Sequence, residues 1–168
     1  MDFSRFKTGD WLVVGGGLVV LIVGFLDWFT VDADGATGSV NAFDFTLTGL
    51  IPWLLLVGAA VVAFLLAGGV VKAGNTPWTL IMLAATALGA LLIVIRLLIG
   101  SDLGDHVDLA GGEDVGLDRA FGLWLSAIGA IAAVAGSFLK FQEGGGNVRD
   151  FTDINKMRDA FKSPPPSA

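Results

Sequence analysis

Cysteine is absent from the 168 residues and histidine occurs once, at His106. The first absence excludes disulfides and thiolate metal sites, and the pair of them leaves a zinc site without its usual sulfur and imidazole donors. Charge is scarce as well. Only 15% of residues are charged against 54% hydrophobic, and the mean hydropathy is +0.76. A water-soluble globular domain carries about 25% charged residues, so the chain is too apolar for one. Catalytic signatures are missing too. No phosphate-binding glycine loop ends in Lys-Ser or Lys-Thr, because Gly15-Gly16-Gly17 lies inside an apolar run. There is no HExxH, no Gly-x-Ser-x-Gly and no paired carboxylate within the apolar runs. These absences point away from an enzyme, and no cofactor motif is present.

What is present is four long apolar runs. They predict spans at about 11–29, 49–71, 77–100 and 119–141, each near the ~20 residues that cross a bilayer. The first competes with a signal peptide, since Val31 and Ala33 resemble a cleavage site. It is longer than a signal h-region and ends in bulky Asp27-Trp28-Phe29, so it reads as an uncleaved span. Residues 1–141 are expected to form one transmembrane domain. Residues 142–168 are expected to follow as a glycine hinge, an amphipathic helix (Val148, Phe151, Ile154, Met157, Phe161) and a Pro-rich end. Between the first two spans, Val40, Ala42, Phe43, Phe45 and Leu47 alternate as in a strand or hairpin.

Cations set the orientation. Arg5, Lys7, Lys72, Lys140, Arg149, Lys156, Arg158 and Lys162 fall at the termini and the 72–76 turn, whereas the two longer loops hold only Arg119. The positive-inside rule therefore predicts both termini in the cytoplasm and a multi-pass protein of the cell (inner) membrane. Trp11 and Trp78 then mark the inner interface, and Trp28, Trp53 and Trp124 the outer one. Nothing resembles a nucleic-acid surface.

Small residues mark the packing faces, because membrane helices associate through close backbone approach. Gly122, Ser126, Gly129, Ala133 and Gly136 form a seven-residue repeat on the fourth span. Gly17 and Gly24 mark the first span, and Ala59 or Ala60, Ala63 and Ala67 the second. Ala85, Gly89, Arg96 and Gly100 share a face of the third. The expected fold is an all-α four-helix membrane bundle with left-handed packing, the third span forming its inner wall. Arg96, on a small-residue face, is expected to pair with Asp27 of the first span, with Asp44, Asp102 or Asp118 as substitutes, unless it snorkels to the outer interface. The acidic second loop offers Asp102, Asp105 and Asp108 as weak metal ligands, without the ordered EF-hand pattern; a solvated acidic loop is the plainer reading.

Asp27-Trp28-Phe29, Asn41-Ala42-Phe43-Asp44, Gly49-Leu50-Ile51-Pro52-Trp53 and Phe121-Gly122-Leu123-Trp124-Leu125 together resemble small four-span membrane proteins of actinobacteria, over roughly Trp11 to Phe141. Those proteins are generally of uncharacterised function. In topology the chain is also similar to claudin-type proteins, but it lacks their paired loop cysteines and their Trp-Gly-Leu-Trp motif. The resemblance implies a bundle and no residue role. Three functions stay open: a non-catalytic scaffold or accessory subunit with a protein partner in the membrane, a small transporter or channel subunit acting as a homo-oligomer, and a sensor or membrane enzyme working through its outer loops.

Overall fold

A computed structural model describes residues 5–33, 36–71, 76–100 and 117–144. It is mostly helical. Helices α1 (Thr8–Val23), α2 (Ile51–Ala67), α3 (Trp78–Ile99) and α4 (Phe121–Glu143) form a bundle. At one end strands β1 (Phe29–Ala33), β2 (Ala36–Val40) and β3 (Leu117–Arg119) make an antiparallel sheet in the order β2-β1-β3. Phe29 pairs with Val40 on one side and Arg119 on the other.

Three helical stretches, Thr46–Ala67, Trp78–Ile99 and Phe121–Glu143, are long and apolar enough to cross a membrane. The first helix is shorter than its apolar run. It ends at Val23, and its 16 residues span about 24 Å against a hydrocarbon core of about 30 Å. Asp27-Trp28-Phe29 is therefore not helical. The cause is local: the Trp28 indole N–H donates to the Val23 carbonyl at 3.2 Å, and the Trp28 backbone N–H donates to Val40 at 2.8 Å. These bonds turn the chain into the sheet. Trp28 is fully buried, so it belongs to the core and not to an interfacial belt, whereas Trp11 and Trp124 are exposed.

The alternating segment after Val40 is also not a strand. The Asn41 side chain accepts from the Phe43 N–H at 2.9 Å, and the Asp44 carboxylate accepts from the Asn41 N–H at 2.7 Å. This reciprocal cap folds Ala42–Asp44 into a 3-10 turn. A π-helical turn, Thr46–Leu50, then leads into α2, with Pro52 in the first turn where its missing N–H leaves nothing unsatisfied. At the other end of α2, Gly69 takes φ of +70°, and Gly100 ends α3 at φ of +74°. Both values favour glycine.

The helices stand in a ring, α1 beside α2, α2 beside α3, α3 beside α4 and α4 beside α1, with α1 and α3 across a diagonal. The α1–α4 seam is the tightest. A Cβ at Gly16 would collide with the Gly129 carbonyl, and one at Gly136 would lie 2.6 Å from the Val13 nitrogen. Half of the membrane-length stretch of α4 is buried, against 33% in α3. The inner wall is therefore α4, not the third span. Two core clusters fill the ring. The larger, under the sheet, gathers Trp28, Phe29, Phe45, Leu56, Ile93 and Leu123. The smaller, toward the opposite end, holds Val13, Ala59, Ala63 and Met82. The outward surface is apolar on every helix, as at Leu18, Leu54, Leu91 and Ile128.

Candidate functional site

Polar chemistry is concentrated at the two ends of the bundle. At the sheet end, the guanidinium of Arg96 is fully buried, one turn before the end of α3. Its central carbon sits 3.7 Å from the centroid of Phe45 and 5.1 Å from that of Phe29. The two rings meet edge to face at 5.5 Å. Phe29 opens β1 and Phe45 links the 3-10 and π turns, so the cation anchors the sheet and the first connection to α3. A desolvated cation over aromatic faces is stabilised by about 2 kcal/mol. Gly49 lets the π turn pack on the 3-10 turn, because any side chain there would strike the Ala42 carbonyl.

This geometry replaces the expected Arg96–Asp27 pair. Among the described residues no ion pair joins the two. Asp27 lies beyond the end of α1, is exposed, and uses its backbone carbonyl to accept from Gly122 at 3.1 Å. The physical reason is the ring order, which puts α1 and α3 across the bundle from each other. Asp44 and Asp118 are likewise exposed. Full burial also excludes snorkelling for Arg96. Asp102, Asp105 and Asp108 lie outside the described residues, as does the 145–168 segment.

Also at the sheet end, Arg119 of β3 donates through Nε to the Leu97 carbonyl at 2.8 Å and through Nη2 to Leu98 at 3.1 Å. It thus serves the unsatisfied carbonyls at the C-terminus of α3, where a cation also complements the helix dipole.

At the opposite end, Asp10 in the first turn of α1 forms an ion pair with Lys140 in the last turns of α4, and both side chains are nearly enclosed. The second carboxylate oxygen of Asp10 accepts from the Lys7 N–H at 3.0 Å, and Lys7 itself reaches Glu143 at 3.4 Å. Gly9 makes room for the lysine stem, since a Cβ there would lie 2.9 Å from Lys140 Cγ. The sequence reading passed over this pair. Its signal was available: Asp10 and Lys140 carry opposite charges at matching ends of the two spans with the strongest glycine stripes.

The packing residues lie as follows. Gly17 meets Ala60 and Gly24 lies against the Trp53 ring. Gly89 abuts Leu56, Gly122 abuts the Asp27 carbonyl, and Gly129 touches Gly16, Val19 and Val20. Ser126 and Ala133 are buried, and Ala85 is half-buried. A cleft of about 280 Å³ opens between the ends of α2 and α3 that lie away from the sheet, beside Lys140. No group of three or more carboxylate or imidazole residues able to hold a metal occurs among the described residues.

Compared with known protein families, curated proteins and solved structures, the chain matches none. The resemblance to actinobacterial four-span proteins therefore rests on its motifs.

Proposed function

We propose that this chain is a multi-pass protein of the bacterial inner membrane. In this reading it is a left-handed four-helix bundle with both termini in the cytoplasm, followed by an amphipathic cytoplasmic segment. It acts as a non-catalytic scaffold or accessory subunit of a membrane complex. The observation that carries this reading is the backbone-to-backbone seam between α1 and α4. Gly9, Gly16, Gly129 and Gly136 bring the two helices so close that a Cβ at any of the four positions would crowd the facing helix. A bundle closed in this way encloses little volume for a transported solute. The buried charges support the same view, because each joins elements to one another: Arg96 holds the sheet to α3, and Lys140 holds α4 to α1.

Purification in a mild detergent, with mass-spectrometric identification of what accompanies the chain, tests the assignment. A stoichiometric membrane partner is the expected result. A lone homo-oligomer would instead favour the transporter or channel-subunit reading.

A further inference from the structure

We infer that the cleft between the inner ends of α2 and α3 seats one acyl chain of an anionic inner-leaflet phospholipid, with its phosphate held beside Lys140 and Thr79. The inference rests on the membrane reading above and adds a ligand to it.

The walls divide by chemistry. Leu66, Ala67, Val71, Trp78 and Met82 give the lining its apolar side chains, and Thr79 and Lys140 its polar ones. At about 280 Å³ the cleft is just under the roughly 300 Å³ floor of sites that enclose a small molecule. It is also open on one side, which suits one segment of a flexible chain entering from the bilayer. A tryptophan at the start of α3 is at the depth where indoles meet lipid headgroups. The Thr79 hydroxyl lies at the level of Gly144, the residue that caps α4. Lys140 has three N–H donors, of which one serves Asp10, so two remain for an oxygen-rich headgroup. Lys7 and Arg5 stand at the same end, Arg5 beside Gly69 at the close of α2. Among the described residues, Arg5, Lys7 and Lys140 outnumber Asp10 and Glu143 at this end by one, so the field there favours an anion by about one charge. A zwitterionic headgroup gains less from it.

The test uses the full-length protein in mild detergent, offered equal amounts of phosphatidylglycerol and phosphatidylcholine with identical chains and analysed by native mass spectrometry. The expected result is one retained lipid per copy, with phosphatidylglycerol preferred by roughly threefold to fivefold, the worth of one lysine near an anionic surface. Ala67→Trp, which puts an indole into the cleft, should lower retention of both lipids about tenfold. Thr79→Val, which keeps the shape, serves if that variant does not fold and should reduce retention severalfold. Asp10→Asn combined with Lys140→Gln keeps a hydrogen-bonded pair and should keep the lipid while abolishing the headgroup preference. Equal retention by wild type and a folded Ala67→Trp, or no preference in wild type, would overturn the inference while leaving membrane insertion intact. Recovery of the chain in the aqueous fraction without detergent would instead overturn the membrane reading, and the inference with it.

Discussion

A single charge inside an apolar bundle is tolerated only with compensation, and the described contacts of the two buried cations differ in kind. Lys140 has a carboxylate, so removing one partner leaves the other charged and enclosed. Lys140→Ala is expected to lower stability by about 3–5 kcal/mol. The double change Asp10→Asn/Lys140→Gln should recover more than half of that, as read by thermal unfolding in detergent. Additive losses would mean that the two groups do not act as a pair. Arg96 lies on two rings. Phe45→Leu should therefore cost about 1–2 kcal/mol more when Arg96 is present than in an Arg96→Met background. Asp27→Asn should show no coupling to Arg96, because Asp27 stands exposed past the end of α1. A cycle with the opposite pattern would put Asp27 beside Arg96 and remove the aromatic contact.

Elements, unlike these contacts, were largely readable from the sequence. Apolar runs placed four helices, and a stripe at helical spacing is a local property: Gly17, Gly24, Gly89, Gly122, Ser126, Gly129, Ala133 and Gly136 are buried, while Ala67 and Ala85 are half-buried. Where the reading failed, the deciding partner was remote or was a side chain bonding to backbone. The apolar run extends to residue 29 because Phe25, Leu26, Trp28 and Phe29 are apolar around Asp27. In fact Trp28 bonds to Val23 and Val40 and ends the helix early. Shared depth suggests Asp27 beside Arg96, but ring order keeps α1 and α3 apart, and ring order is not written in any one span. Glycine position can be tested at this scale. Gly15 and Gly16 are neighbours with opposite surroundings: nothing lies within 4 Å of a Cβ on Gly15, while one on Gly16 meets the α4 backbone. Gly15→Ala should be neutral or stabilising by up to about 1 kcal/mol through helix propensity. Gly16→Ala should destabilise by about 1–3 kcal/mol through overpacking. Unfolding midpoints that moved together would show that the α1–α4 seam is looser than described.

For the molecule as a whole, the distribution of cations becomes informative once their contacts are known. Arg119 is the one cation of the longer loops, and it caps α3 through Leu97 and Leu98. Its place is explained by a helix terminus, so it does not weaken the positive-inside assignment. Arg96 is buried and equally silent on orientation. The remaining described cations, Arg5, Lys7 and Lys140, gather at the end away from the sheet, so the sheet should face out. The absence of native cysteine makes this directly measurable. Ser39 on β2 and Asp44 are exposed at the sheet end, and Gly144 is exposed at the other. Ser39→Cys and Asp44→Cys should react with a membrane-impermeant maleimide on intact cells. Gly144→Cys should react only after permeabilisation, and a cytoplasm-active reporter fused after Phe161 should work. The reverse labelling pattern would invert the bundle, and the Lys140 cleft would then open to the outer leaflet. Labelling of all three sites from outside would mean that α4 does not cross. In that case α1, at about 24 Å, would be the first helix to reconsider as a full span, because the tight α1–α4 seam obliges the two to sit in the bilayer together.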